Sequence, residues 1–453
     1  MISRLGLAIS AVARRVFPDP LVLAVGLTLL VVALALVVPG PDGQRHTIAD
    51  ICTFWNHGVW NFLAFAMQMS LILVTGYALA ASPVATWAIR RVADLPRSMT
   101  SAALLVAGVA MVAGVLNWGL GLIIGAMLAR DVARRLRARN IPHHYPLLAG
   151  AGYLGLLVWH GGFSGSAPLK TTQPEDVAEI FGDMALPFDT IPLDQSLASP
   201  LNLVTTGGLI LVSLVVVALL VPRNPRDMIP ATAEQTGEDD APDLRAYLKA
   251  PFGEAVLGTA LGCFLLLATA YRIHEVGYDR LGLNEINLLA LGLGLLAHPT
   301  PSTYAAAVAD AARGCGGIIV QFPLYAGIMG LMQASGMTAR IADQLVAWGD
   351  ATTAPILTFG SAALVNLVVP SGGGQWGVQG PVVMEAAAAV DARPATILMA
   401  FSYGDQLTNM LQPFWALPLL AITGIRARDI VGYTTLIMVA AAIWIVAMLL
   451  LLG

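Results

Sequence analysis

Four short clusters of small and polar residues interrupt the apolar runs of this 453-residue sequence. Glycine lets bare backbone amides approach a ligand, and a half-helix that begins at a break points its positive N-terminal end towards that break. These features together would bind an anion, and the pattern predicts one shared anion site. The clusters are NWG (117–119), WHGGFSGSAPL (159–169), PSGGGQW (370–376) and YGDQLTNMLQP (403–413).

The candidate substrate-binding residues come from all four clusters. Hydroxyls, asparagine amides and backbone N–H groups would hold a carboxylate, and the glycines are expected to adopt positive φ where their amides approach it. A single glycine or proline in a membrane helix is usually only a kink, but four clusters at matched places favour a site. The candidates are Asn117, Trp118, Gly119, Ser164, Gly165, Ser166, Ser371, Gly372, Gly373, Gly374, Thr408 and Asn409.

Three further residues are candidates for a coupling-ion site. Asp405 lies well inside an apolar run, where a charge is costly and usually functional; an acid that packs helices or lines a cavity is the alternative. Asn366 could equally form an interhelical hydrogen bond, and His160 could be a neutral cavity-lining donor rather than a proton carrier. The coupling ion could be H⁺ or Na⁺. No other cofactor and no metal centre is expected.

The composition identifies the kind of protein that carries these clusters. Hydrophobic residues make up 57% of the chain and charged residues 11%, and the mean hydropathy is +0.74. A soluble surface needs far more charge, so we predict an all-α polytopic membrane protein. Runs of about 20 apolar residues match the thickness of a bilayer. Full spans are predicted at 20–38, 61–81, 146–169, 201–221, 253–271, 284–297, 313–334, 394–421 and 429–452.

Two segments, 99–129 and 354–390, are too long to cross once, and each is broken in its middle. We predict that both are re-entrant hairpins. Cytoplasmic loops collect lysine and arginine, and arginines flank both ends of the first hairpin, at 90–97 and 130–139. The N-terminus is then cytoplasmic, the acidic segment 170–200 is external, and the second hairpin enters from the outside.

The two halves of the chain repeat the same order of span, broken hairpin, interrupted span and span. Asn117 and Asn366 lie at matching hairpin breaks, 366 − 117 = 249 residues apart. Because the hairpins enter from opposite sides, the repeats have inverted topology, which is typical of secondary transporters. The predicted organisation is an N-terminal interfacial helix and first span (1–60), repeat 1 (61–221), a cytoplasmic loop with connecting spans (222–312) and repeat 2 (313–453). Repeat 1 contains hairpin 99–129 and interrupted span 146–169; repeat 2 contains hairpin 354–390 and interrupted span 394–421.

Motifs of enzymes and ATP-driven pumps are incomplete in this sequence. GGFSGS (161–166) lacks the closing glycine of a nucleophile elbow. GSAPLKT (165–171) lacks the glycine that precedes the lysine of a phosphate-binding loop. The sequence therefore favours a secondary transporter and not an enzyme.

Long motifs along the chain resemble the bacterial short-chain fatty acid transporter family. The resemblance implies uptake of small monocarboxylates such as butyrate or acetoacetate across the bacterial cytoplasmic (inner) membrane, within a larger ion-transporter superfamily that uses elevator-type motion. Two positions depart from the family, which tends to glycine at His160 and to glutamate at Asp405. The motifs are FPDPLVLA (17–24), NFLAFAMQMSLILVTGYALA (61–80), NWGLGLIIGAMLARDVARR (117–135), GGFSGSAPL (161–169), GGIIVQFPLYAGIMGLM (316–332), PSGGGQWGVQGP (370–381) and QPFWALPLLAI (412–422).

Other functions remain open from the residues alone. A carrier of C4-dicarboxylates or other organic anions is one alternative, and a channel or receptor built on a transporter fold is another. A dicarboxylate would need a second cationic or amide-rich pocket, and no arginine lies near any break, so a monocarboxylate is favoured. The expected partners are the substrate, the lipid bilayer and a second copy in a homodimer; no nucleic acid is expected.

Overall fold

A computed structural model describes residues 20–40, 45–182, 184–236, 246–347, 349–367, 369–412 and 415–453. All regular secondary structure in these segments is helical, which confirms the predicted all-α fold. The interfacial helix predicted before the first span lies outside the described residues.

The N-terminal half of the chain begins with a span and a short amphipathic helix and continues into the first repeat. Two 3-10 turns, Tyr153–Leu157 and Trp159–Gly161, break the interrupted span between its two helical pieces. The helices are α1 (Pro20–Val37), α2 (Ile48–Gly58), α3 (Leu63–Ala81), α4 (Pro83–Ala93), α5 (Met99–Leu116), α6 (Trp118–Ala138), α7 (Tyr145–Gly152), α8 (Ser166–Leu169), α9 (Pro174–Phe181) and α10 (Pro200–Leu220).

The C-terminal half contains the connecting helices and the second repeat. Its interrupted span is broken by the 3-10 turn Asn409–Leu411. The helices are α11 (Ala233–Thr236), α12 (Ala246–Lys249), α13 (Phe252–Val276), α14 (Leu283–Leu296), α15 (Pro301–Ala312), α16 (Gly316–Ala334), α17 (Met337–Ala347), α18 (Ala354–Asn366), α19 (Gly372–Ala389), α20 (Pro394–Thr408), α21 (Leu417–Thr423) and α22 (Ala427–Leu452).

Six of the described helices, α3, α5, α10, α13, α16 and α22, are long and apolar enough to cross a membrane. The order span, hairpin, interrupted span and span occurs twice, first in α3 to α10 and again in α16 to α22, so the molecule is an all-α polytopic membrane protein built from two repeats. Because α5 has the length and hydropathy of a span itself, the re-entrant path of the hairpins stays a prediction. The domain boundaries given above also stay predictions.

Glycines hold the first hairpin and its interrupted span together. A Cβ on Gly121 would lie 2.5 Å from Gly114 Cα, and one on Gly114 would lie 2.7 Å from Gly155 Cα. Gly125 and Gly152 meet in the same way. Membrane helices pack closely where small residues let their backbones approach, so α5, α6 and the interrupted span of repeat 1 form one compact unit.

The second hairpin is more open than the first. Its arm α18 packs along α20, whereas α19 packs against α16, α17 and α20, and the two arms contact each other much less than α5 contacts α6. A Cβ on Gly404 of α20 would lie 2.8 Å from Ala362 Cβ of α18, which explains the close approach of those two helices. The tip of this hairpin is therefore held mainly by other elements.

The predicted topology can be tested by side-specific labelling. Arg137 and Asp189 are exposed, and the inverted-repeat arrangement places them on opposite sides of the membrane. Single cysteines at these positions, in a chain whose native Cys52, Cys263 and Cys315 are replaced, should react with an impermeant maleimide from opposite sides. Reaction of both cysteines from the same side would contradict the topology.

Candidate functional site

One small cavity, here called the central cavity, receives residues from all four breaks. Trp118 comes from the first hairpin tip, Trp159 from the first interrupted span, Ser371 and Gly372 from the second hairpin tip, and Asn409 from the second interrupted span. Its volume of about 20 Å³ holds roughly one water molecule. The structure thus brings residues of all four predicted clusters together around a space with no room for an organic substrate, and in this sense the site is closed. The remaining lining residues are Met69, Leu156, Ile318, Phe322 and Trp415.

At the first hairpin tip, the predicted residues bind one another. Asn117 Oδ1 accepts the Leu120 N–H at 2.9 Å and caps α6, and its Nδ2 donates to the Ile72 carbonyl at 3.2 Å. Ser164 Oγ accepts the Trp118 N–H at 2.9 Å. Neither Asn117 nor Ser164 lines the cavity; both hold the break in place, and Trp118 alone of this tip reaches the central space.

Two predicted glycines near these residues are also buried in packing contacts. A Cβ on Gly119 would lie 3.3 Å from the Leu73 carbonyl oxygen of α3. One on Gly165 would collide with the His160 carbonyl. The contact at Gly165 leaves no room for a side chain, the contact at Gly119 is tight, and neither glycine lines the cavity.

At the second hairpin tip, the three glycines form the first turn of α19. Ser371 Oγ accepts the Gly374 N–H at 3.2 Å and caps this helix. The expectation of positive φ is wrong here, because the glycines with positive φ in the described part of the chain are Gly182, Gly277, Gly336 and Gly424. The first N–H groups of a helix have no intrahelical partner, so this end of α19 still offers amides towards the cavity.

Close aromatic packing explains why these positions are glycine. A Cβ on Gly372 would lie 2.6 Å from the Trp159 ring. A Cβ on Gly373 would lie 2.8 Å from Phe65 and 3.1 Å from Phe322, and one on Gly374 would collide with the Tyr325 ring. The tip therefore sits in a socket of aromatic side chains with no room for a methyl group.

The deepest polar contact of the site joins the two repeats. His160 Nδ1 lies 2.6 Å from Asp405 Oδ2, and both residues are fully buried. His160 Nε2 accepts the Ala167 N–H at 3.1 Å, with Ser166 Oγ at 3.3 Å. Because a backbone N–H can only donate, Nε2 carries no proton in this arrangement, and His160 is neutral with its proton on Nδ1.

Asp405 has no compensating cation among the residues that the structure describes. Its Oδ2 accepts from neutral His160, and no described group bonds to its buried Oδ1. A buried carboxylate without a counter-charge costs several kcal/mol. The carboxyl group lies beside the first turn of α19, where a Cβ on Gly372 would be 3.1 Å from Asp405 Oδ2.

Asn366 ties the second hairpin to the second interrupted span. Its Nδ2 lies 2.6 Å from the Asp405 carbonyl and 3.0 Å from both Thr408 Oγ1 and Asn409 Oδ1. Thr408 Oγ1 also donates to the Ala363 carbonyl at 3.0 Å. Thr408 and Asn366 are thus parts of this cross-link, and only Asn409 of the three reaches the cavity wall.

Sequence reasoning missed several residues of the site. Gln406 Oε1 accepts the N–H groups of His160 and Gly161 at 3.0 and 3.3 Å. A side chain of repeat 2 thus pairs backbone N–H groups at the break in repeat 1. The position of Gln406 directly after Asp405 in the sequence was the signal that could have identified it. Phe322 and Trp415 line the cavity, but apolar side chains in apolar segments carry no distinguishing pattern.

A larger, mostly apolar vestibule lies beside the central cavity. It has a volume of about 440 Å³ and shares Trp118 and Trp415 with the smaller space. The two indole rings meet edge to face, with centroids 5.2 Å apart, and they separate the two spaces. Its other lining residues are Leu73, Tyr77, Leu122, Ile123, Asp310, Ala311, Arg313, Gly314, Leu417, Pro418, Ala421 and Ile422.

Solved transporter structures share this fold. The YdaH transporter of Alcanivorax borkumensis, described as having an unusual topology, superposes with a TM-score of 0.60 at 16% identity, over 96% of this chain and 97% of that one. MtrF of Neisseria gonorrhoeae, from a class of antimetabolite efflux pumps, gives a TM-score of 0.57 at 15% identity, over 96% and 95% of the two chains. At these identities the likeness concerns the fold alone.

Sequence comparison identifies the family. A protein of Escherichia coli (strain K12), provisionally named a short-chain fatty acid transporter, is 39% identical over 438 residues, 96% of each chain. A protein of the same provisional name from Haemophilus influenzae is 35% identical over 461 residues, 99% of each chain. The family model described as "Short chain fatty acid transporter" matches residues 1–452, and the chain therefore belongs to the short-chain fatty acid transporter family.

Proposed function

We propose that the protein is a proton-coupled secondary transporter that carries short monocarboxylates, such as butyrate or acetoacetate, across the bacterial cytoplasmic membrane. The observation that carries the proposal is the central cavity: four helix breaks meet there, beside a buried Asp405 that no cation of the described segments contacts.

The walls of the cavity suit a small anion with an apolar tail. The first turn of α19 supplies N–H groups and a favourable dipole end, Ser371 and Asn409 supply polar side chains, and aromatic rings form most of the remainder. Among the cavity-lining residues that the structure describes there is no lysine or arginine. One carboxylate can be held by amides alone, whereas a second would need a further polar pocket.

Asp405 is the proposed proton carrier. His160 cannot take up a second proton while Nε2 accepts the Ala167 N–H, so the coupling proton is assigned to the carboxyl group. Protonation removes the penalty of burying the charge and thereby permits the closed arrangement. Asn366 supports this centre through its bond to the Asp405 carbonyl rather than by binding the ion.

Transport would proceed by alternating access. The central cavity is far smaller than a four-carbon acid, so substrate binding requires movement of its walls. Cross-links through His160–Asp405 and Asn366 join the second hairpin and both interrupted spans, and Ser164 ties the first hairpin to the first interrupted span. These contacts favour joint movement of the four elements, as an elevator mechanism requires. A change of side-chain rotamer at Trp118 or Trp415, which line both spaces, would connect the cavity to the vestibule.

Ligand-induced stabilisation tests the substrate class. In purified protein, millimolar butyrate or acetoacetate should raise the thermal unfolding temperature more than succinate or citrate, because binding to the folded state adds RT ln(1 + [L]/Kd) to its stability. The Gly372→Ala variant, whose methyl group would occupy the site, is the control and should lose the effect. A larger stabilisation by succinate or citrate would contradict the monocarboxylate assignment.

A carrier of larger organic anions is the second candidate. The vestibule volume of about 440 Å³ exceeds what a four-carbon acid fills and lies within the range of sites for larger ligands. The thermal comparison separates the candidates if longer monocarboxylates are included, because a larger-anion carrier should be stabilised most by those.

The proposed localisation is the inner membrane with a cytoplasmic N-terminus, and a homodimer is the proposed assembly.

A further inference from the structure

A buried lysine follows the interrupted span of repeat 1. Lys170 is fully buried, and its Nζ lies 2.5 Å from Asp176 Oδ1 and also bonds to Glu179 Oε2. The two acids are three residues apart on α9 and so face the same side of that helix. The segment predicted as an acidic external loop thus contains a helix that closes over a buried cation.

Helix α9 covers the second hairpin. The Phe181 ring packs edge to face on Trp376 of α19, with centroids 5.8 Å apart. Gln333 of α16 donates to the Ile180 carbonyl at 3.4 Å. The lysine and its acids therefore fasten a cover that rests on an element of the central site.

Two aromatic rings connect Lys170 to the central cavity. Its Nζ lies 5.0 Å from the centre of the Phe65 ring. Phe65 packs edge to face against Phe322, at 5.4 Å, and Phe322 lines the cavity. A Cβ on Gly373 would contact both rings, so a movement of the second hairpin tip would shift the two rings that connect Lys170 to the cavity.

The charges around Lys170 do not balance. One ammonium faces Asp176 and Glu179; Glu175 and Glu285 add negative charge nearby, and Arg272 lies 3.6 Å from Glu285. Burial raises the pKa of Asp176 even though Lys170 opposes the shift. Glu179 Oε1 is buried and bonds to no described group. The cluster therefore favours uptake of a proton by Asp176.

We propose that Lys170 is an access subsite for the substrate carboxylate, which takes the place of Asp176 at the ammonium when Asp176 is protonated. This inference rests on the proposed function, because it assumes a monocarboxylate substrate. One proton and one carboxylate enter the cluster together, so its net charge does not change and no uncompensated charge is buried. Substrate capture at this subsite is then favoured as pH falls on the side of α9, which is predicted to be external.

The test is the dependence of KM on external pH for acetoacetate uptake into right-side-out membrane vesicles. Wild-type KM should fall as pH falls. Lys170→Met should raise KM about tenfold or more, the scale for loss of a buried charge pair, with a much smaller change in maximal rate. Asp176→Asn, which mimics the protonated acid, should keep KM low at alkaline pH and flatten its pH dependence.

Asp189→Asn is the matched control, since it removes an exposed carboxylate of the same acidic segment that is not among the charges acting on Asp176; it should keep the wild-type KM and pH profile. If Lys170→Met fails to insert into the membrane, two other variants still test the subsite. Lys170→Arg reports on the positive charge through KM, and Asp176→Asn reports on the carboxyl group through the pH profile. Wild-type KM and pH dependence in Lys170→Met, or an unchanged pH profile in Asp176→Asn, would overturn the inference while monocarboxylate uptake persists. Absence of uptake by the wild type would instead overturn the proposed function.

Discussion

Asp405→Asn is expected to abolish the accumulation of butyrate or acetoacetate against a gradient while leaving exchange of substrate across the membrane. The asparagine amide is always neutral, so it permits the closed arrangement but carries no proton. Gradient-driven uptake should fall by at least about tenfold, as expected for loss of a functional carboxylate within the membrane. Counterflow of labelled substrate should remain measurable.

The control for Asp405→Asn is Glu385→Gln in α19, which removes another partly buried carboxylate of the second repeat. Glu385 does not line the central cavity, and its variant should accumulate substrate as the wild type does. Normal accumulation by Asp405→Asn would show that its coupling role is wrong. Loss of both accumulation and counterflow would assign Asp405 to substrate binding or folding rather than to coupling.

Gly373→Ala is expected to reduce transport at least about tenfold without preventing membrane insertion. The added methyl group would lie 2.8 Å from Phe65 and 3.1 Å from Phe322, and such overpacking costs about 1–3 kcal/mol. The hairpin tip would shift away from these two rings and from the central cavity. Transport rate and the amount of protein in the membrane would be measured together.

Gly360→Ala is the matched control in the other arm of the same hairpin. A Cβ at Gly360 would meet nothing within 4 Å, and alanine favours a helix over glycine. This variant should insert and transport like the wild type. Equal transport by the two alanine variants would contradict the requirement for glycine at the tip.

The positions of the main elements could be predicted because they depend on local properties. Span length and hydropathy identified helices such as α3 and α22, and polar clusters in apolar runs identified the hairpin breaks. Asn117 and Ser371 stand at those breaks because their side chains cap the following helices. These signals lie within a few residues of one another in the sequence.

The contacts that build the site depend on residues far apart in the chain. His160 and Asp405 are separated by 245 residues, and nothing local indicates that one binds the other or that Ala167 fixes the histidine tautomer. Asn117 was expected to face substrate, yet its amide is used by the helix cap and by α3. Choosing between these roles requires the tertiary structure.

Lys170 illustrates the same limit. It stands at the start of a segment rich in acids, which favours an exposed loop, but Lys170 lies between the short helices α8 and α9 in the chain and is fully buried. Its burial depends on Phe65 and on two acids of α9. Hydropathy cannot indicate a buried cation whose partners create their own polar environment.

Uptake of labelled acetoacetate into proteoliposomes under imposed gradients tests the central claim of proton-coupled monocarboxylate transport most directly. Protein-free liposomes are the control, because neutral short-chain acids cross a bilayer unaided. An inward proton gradient without sodium should drive accumulation above the protein-free level, and a protonophore should abolish it. Accumulation that requires a sodium gradient at equal pH, or uptake that only equilibrates the substrate, would contradict the account.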